Sequence, residues 1–209
     1  MKVYKDIRQG TEDWFKLKLG KVTGTVLSDL MGTAKARQEA MYEIVAERLT
    51  PKVQMEYENP MARGVRLEGD AMIAFQLKTG KTVSTAGFCE SDGNAWIGYS
   101  PDGLIYDKKG NVTEDVEIKC PLGKNYMKIV MTNQVPREYH WQIVQGFVTN
   151  PKLKKRWFVA YNPDIPSYPI HIIECNRKDY LGDIMDAEHV EKEFIREIEE
   201  KLKTINYKK

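Results

Sequence analysis

Near residue 82 the chain changes its hydrophobic period, and that change limits the possible fold more than any other feature. Upstream, the first third looks helical: a short turn around "EDWFKLKLG", a helix beginning near Thr25 in "TGTVLSDLMG", and a longer one across "ARQEAMYEIVAERL" before Pro51. Downstream, apolar and polar residues alternate. The segments "TVSTAGFCE", "AWIGYS", "GLIYD" and "VTEDVEIK" read as strands joined by the turn sequences "SDGN" and "DKKGN", which predicts a meander of at least three strands. The helical period then returns in "GKNYMKIVM" and "PREYHWQIVQGFVT". Two further strands follow in "RWFVAYN" and "IHIIEC", and "YLGDIMDAEHVEKEFIREIEEKL" closes the chain as a long charged helix. The predicted class is α/β, a central mixed β-sheet flanked by helices.

With 209 residues, 42% hydrophobic and 30% charged, the chain fits one folded domain over 1–209. Its formal net charge of +2 neither demands nor excludes a polyanionic partner, so any nucleic-acid surface has to be local. The three cysteines, Cys89, Cys120 and Cys175, show no C-x-x-C spacing, which argues against a disulfide framework and a structural zinc site. They read as reduced thiols. With no basic-then-apolar leader and no apolar run near the roughly 20 residues of a membrane span, the expected location is the cytoplasm, with no membrane partner.

Chemistry concentrates in "DVEIK", where Val116 and Ile118 point to one side of the strand and Glu117 and Lys119 to the other, about 7 Å apart. A carboxylate and an ammonium share one face. Asp102 lies fifteen residues before Glu117, and the "DKKGN" turn folds the intervening strands into a hairpin that can bring the two carboxylates together. Converging carboxylates repel, so a hard divalent cation is their natural companion. A third acid comes from a helix predicted from about Pro60 to Leu77 and closed by Gly80, whose stripe of Met61, Val65, Glu68, Met72 and Phe75 contains one charge. Glu68 faces the core there and needs either a metal or a salt bridge to Arg63 or Arg66.

These blocks resemble the phage lambda exonuclease, or YqaJ-like viral recombinase, group of the PD-(D/E)xK nuclease superfamily. "WFKLKLGKVTGT" is similar to the family's N-terminal block, "RGVRLEGDA" to its G-x-x-x-E helix, and "SPDGL" followed by "VEIKCP" to its catalytic core, in the family's order over roughly residues 14 to 121. The resemblance implies a PD-(D/E)xK core and an exonuclease that degrades one strand of linear duplex DNA from its 5′ end. Mononucleotides are released and a 3′ single-stranded tail remains for recombination by strand annealing. It further implies two Mg²⁺ ions, replaceable by Mn²⁺, held by Asp102, Glu117, the Ile118 carbonyl and Glu68, with Lys119 orienting the water or neutralising phosphate charge. A ring-shaped homotrimer, a single-strand annealing protein as partner, and a bacterial or phage-infected cytoplasm complete the expectation.

Three more expectations come from the same resemblance. Lys18 and Thr25 match the family's 5′-phosphate pocket, with lysine and threonine where the lambda enzyme has arginine and serine; Thr25 is predicted to start a helix and cap its free amides. Met61 resembles an apolar residue that wedges between the strands. "YHWQIVQGFV" is similar to the family's glutamine-bearing helix, and either Gln142 or Gln145 fits the glutamine. Two rivals remain open: an endonuclease of the same superfamily, and a non-catalytic DNA-binding or annealing module whose acids are structural.

Overall fold

The structure, a computed structural model, describes residues 1–50 and 62–206. The chain opens with strand β1 (Lys2–Tyr4) and then runs through helices α1 (Glu12–Lys18), α2 (Gly24–Leu30), α3 (Ala34–Leu49) and α4 (Ala62–Thr79). Local chemistry sets these ends. Thr11 accepts a hydrogen bond from the Trp14 amide at the start of α1, with Glu12 and Asp13 in the first turn and Lys16 and Lys18 in the last, matching the helix dipole at both ends. Helix α4 ends at Gly80, whose φ of 69° is one that side-chain-bearing residues rarely adopt.

The predicted meander divides into two sheets. Strands β2 (Phe88–Glu90) and β3 (Gly98–Tyr99) pair with β1 in the order β1-β2-β3, whereas β4 (Gly103–Tyr106) and β5 (Val112–Lys119) open a second sheet. The break falls at "SPD". Pro101 has no amide proton to donate to a ladder, and the chain turns there into the β4–β5 hairpin. In that hairpin Asp107 Oδ1 accepts from the Lys109 and Asn111 amides, each at 2.9 Å, so the "DKKGN" turn behaves as read.

Helices α5 (Gly123–Thr132) and α6 (Arg137–Thr149) carry the chain from β5 to β6 (Lys155–Tyr161), which runs parallel to it. Strand β7 (Ile170–Asn176) then pairs antiparallel with β6, a short 3₁₀ turn covers Arg177–Tyr180, and α7 (Leu181–Asn206) follows. The second sheet, β4-β5-β6-β7, is therefore mixed. Its alternation sorts the core: Val116, Ile118, Trp157 and Val159 meet Ala71 and Phe75 of α4 on one side. Leu104, Phe158 and Ala160 meet Ile143, Val144 and Phe147 of α6 on the other, with Ile184 and Ala187 of α7 behind. Helices thus cover both faces, and among the described residues no helix is long and apolar enough to cross a membrane.

Candidate active site

Strand β5 lies between β4 and β6, so both of its edges are paired and its side chains project from the interior of the sheet. Asp115, Glu117 and Lys119 share the face turned toward α6; Asp115 and Glu117 are only 0% and 7% exposed. The Lys119 ammonium lies 2.8 Å from Glu117 Oε1 and 5.0 Å over the Tyr139 ring. Asp102 hooks onto the same strand. Its amide donates to the Val116 carbonyl at 3.1 Å, and its Oδ2 accepts from the Ile118 amide at 2.5 Å, so the hairpin brings the acid beside Glu117. The Ile118 side chain itself points into the α4 side of the core.

Glu68, half-buried on α4, comes close enough to feel the charges of this group. Burial, then the Glu117 and Glu68 carboxylates, push the Asp102 carboxyl well above the ordinary range, against Lys119 and the Ile118 amide. Glu68 is raised by burial and by Glu117, with Lys119 opposing. For Lys119 burial pulls downward, but Glu117 and Asp102 outweigh it and hold the ammonium above its usual value. Three acids and one cation thus act as a single electrostatic unit.

Among the described residues, no three His, Cys, Asp or Glu side chains are gathered closely enough to form a ready-made metal cage. The donor chemistry still fits a hard divalent cation. Carboxylate oxygens are its preferred ligands, and such an ion relieves both the burial and the mutual repulsion that raise Asp102 and Glu68. Cavity volume points elsewhere: a hollow of about 670 Å³ opens around Tyr106, Val112, Asn150 and Glu191, at the far end of β5, and none of the described candidate residues lines it. We assign the site by the carboxylates and ammonium that converge on the end of β5, because hydrolysis depends on interacting charged groups rather than on cavity volume.

Behind Glu117 stands a residue that the sequence reading missed. Arg156 of β6, fully buried, donates from Nε to Asp115 Oδ1 at 2.7 Å, and Tyr99 donates its hydroxyl to Asp115 Oδ2 at 2.8 Å. Arg156 Nη1 donates to the Ile143 carbonyl at 3.0 Å and also to that of Gln142, while Nη2 lies 3.6 Å from Glu117 Oε2. The signal was present in "DVEIK", whose buried face has three polar members rather than two; the third, Asp115, required a buried partner.

The remaining candidates are distributed more widely. Gln142 is half-buried against α2, so close that a Cβ on Gly24 would stand 3.0 Å from its Cα. Gln145 is sealed in the core, its amide 3.4 and 3.5 Å from the Val22 and Gly98 carbonyls. Lys18 lies 4.0 Å over the Trp14 ring, and burial lowers its pKa against the pull of Glu47 and Glu43. Thr25 does not cap a helix: α2 begins at Gly24, Thr23 holds the cap position without a side-chain hydrogen bond, and Thr25 is exposed in the first turn. Helix α2 starts one residue earlier than predicted, at Gly24, whose lack of a Cβ leaves room for the close contact with Gln142. Met61 lies outside the described residues.

Comparison with known proteins agrees with this architecture. The structure resembles that of an alkaline exonuclease, LHK-Exo, from Laribacter hongkongensis, with a TM-score of 0.83, 30% identity, and coverage of 95% of this chain and 97% of that one. The same protein in complex with dAMP gives the same figures, 0.83 and 30% over 95% and 97%. A phage-related exonuclease from Haemophilus somnus 129PT shares the fold at a TM-score of 0.57 and 14% identity, over 86% of this chain and 96% of its own. No curated protein matches in sequence. The helix-flanked mixed sheet is of the PD-(D/E)xK type, and with the model of the YqaJ-like viral recombinase domain matching residues 13–150, the chain belongs to that family.

Proposed function

We propose that the protein is a Mg²⁺-dependent exonuclease that removes mononucleotides from the 5′ end of linear duplex DNA and leaves 3′ single-stranded tails for recombination by strand annealing. The observation that carries this reading is the coupled group of Asp102, Glu117, Lys119 and Glu68 at the end of β5. Its setting supports it. The chain shares the fold of an alkaline exonuclease at 30% identity, and one structure of that exonuclease holds dAMP, a deoxynucleoside monophosphate of the kind such a reaction releases.

In this mechanism Asp102, Glu117, the Ile118 carbonyl and Glu68 would hold the divalent ions, two per site and with Mn²⁺ as a substitute. When bound, these ions supply an activated water and charge stabilisation at phosphorus. Water attacks phosphorus, the bond to the 3′ oxygen breaks, and the shortened strand keeps a new 5′-phosphate. Glu117 and Asp102 hold Lys119 as an ammonium, the form that neutralises charge on a phosphate oxygen. Lys18, with the exposed Thr25 hydroxyl, receives the 5′-phosphate and so favours successive cuts by a cytoplasmic enzyme that works as a homotrimeric ring with an annealing protein.

Linear duplex and covalently closed circles, incubated with Mg²⁺, provide the test. We expect linear DNA to be consumed from 5′-phosphate ends and circles to survive. Nicking of circles at a similar rate replaces the exonuclease with an endonuclease, and no cleavage of either leaves a binding module.

A further inference from the structure

Arg156 is sealed beneath the acidic cluster, its side chain 0% exposed. A guanidinium carries five N–H donors in a rigid fork. Nε is committed to Asp115, and Nη1 to the carbonyls of Ile143 and Gln142, which pins the plane from β5 and from α6 together. Nη2 is left. It finds no hydrogen-bond partner and stands 3.6 Å from Glu117 Oε2, while Glu117 Oε1 faces Lys119 at 2.8 Å. Neutralising Asp115 alone does not require this aim, because Asp115 is already satisfied through Nε and the Tyr99 hydroxyl.

Resting on the nuclease reading above, we infer that Arg156 is a positioning residue for Glu117. Its pinned guanidinium sets the direction of Glu117 Oε2 and thereby the affinity of the acidic cluster for a divalent cation. A glutamate side chain has several rotamers, and confining it costs entropy that a fixed neighbouring charge offsets. Lys119 cannot do this alone, since its flexible stem leaves the ammonium free to follow a substrate phosphate. Gly146 on α6 is the third part of the device. A Cβ there would lie 2.5 to 2.6 Å from the Arg156 guanidinium, so the fork keeps its place only beside glycine.

Three variants test this without touching a proposed ligand. Gly146→Ala keeps every charge and displaces the fork; Arg156→Lys keeps the charge and loses the fork; Arg156→Met combined with Asp115→Asn removes the buried pair together. Mn²⁺ binding is measured by calorimetry without DNA, and circular dichroism establishes which variants are folded. In the folded variants we expect Mn²⁺ affinity to fall about tenfold, as for other groups that orient a metal ligand. The Mg²⁺ concentration for half-maximal cleavage should rise in parallel, with KM for DNA unchanged. Wild-type Mn²⁺ affinity in any folded variant overturns the inference. Failure of the nuclease reading is separable, because a wild-type protein that binds Mn²⁺ and cleaves no DNA leaves the calorimetric result standing.

Discussion

Glu117 and Glu191 are both carboxyl groups withdrawn from water, 7% and 0% exposed, yet the protein treats them in opposite ways. Glu117 lies between two cations, Lys119 on one side and Arg156 on the other. Glu191, on α7 at the wall of the hollow near Val112, has neither oxygen within hydrogen-bonding geometry of a partner. Burial pushes its carboxyl up to about 8, against the Gln145 amide and with the help of Glu188. Burial of an acid alone therefore does not mark a site. What separates the two is that cations face Glu117, whereas among the described residues none is paired with Glu191, where burial disfavours the charge.

The largest effect that separates the two is on hydrolysis. Glu117→Ala, Asp102→Ala and Lys119→Ala should each reduce DNA cleavage by about a hundredfold or more while the melting temperature holds, whereas Glu191→Gln should keep cleavage at pH 7 within about twofold. Gel assays of the four proteins decide this, and a near-normal rate for any of the first three breaks the comparison. Next comes Glu68→Gln, which removes one acid from the cluster and keeps its volume. A loss of about tenfold in low Mg²⁺ that recovers in high Mg²⁺ is expected; an unchanged Mg²⁺ titration means that Glu68 serves a salt bridge instead. Lys18→Ala should cost less, lowering the preference for 5′-phosphate over 5′-hydroxyl ends by a few-fold and shortening processive runs without loss of metal-dependent cleavage.

The smallest effect is thermal and concerns Glu191 alone. Its pKa is raised on folding from 4.5 to about 8, so between these values the folded chain binds a proton that the unfolded chain has released. This contribution to stability is full below about pH 4.5 and is lost progressively as pH rises to about 8. Glu191→Gln, neutral throughout, should match the wild type at pH 5 and melt several degrees higher at pH 9, at about 2–4 °C per kcal/mol for a chain of this size. Equal melting at pH 9 would show that Glu191 is relieved by a partner.

Much of this organisation was legible before the structure. Helices α3, α6 and α7 stand where the sequence reads as helical, the short turn expected around "EDWFKLKLG" is the helix α1, and the Asp107 turn and Gly80 stop carry their own chemistry. Asp102, Glu117 and Lys119 came together because alternation and a short hairpin are local rules. What escaped depends on distant partners. The three residues of β1 make a strand only by pairing with β2, some eighty-five residues later. The division of the meander follows from which sheet each strand can join, and the start of α2 from the Gly24 contact with Gln142. Arg156 is forty-one residues from Asp115 and reads in isolation as one cation in an apolar strand.

The glycine at 146 has an evolutionary consequence. Because any larger residue there collides with the Arg156 guanidinium, position 146 cannot mutate freely while the arginine is kept. The arginine is in turn tied to Asp115, so the three are expected to be inherited together. Lineages that carry a side chain at the position of Gly146 are expected to have exchanged the arginine and its buried aspartate as well, so the presence or absence of the whole trio should divide the family into branches.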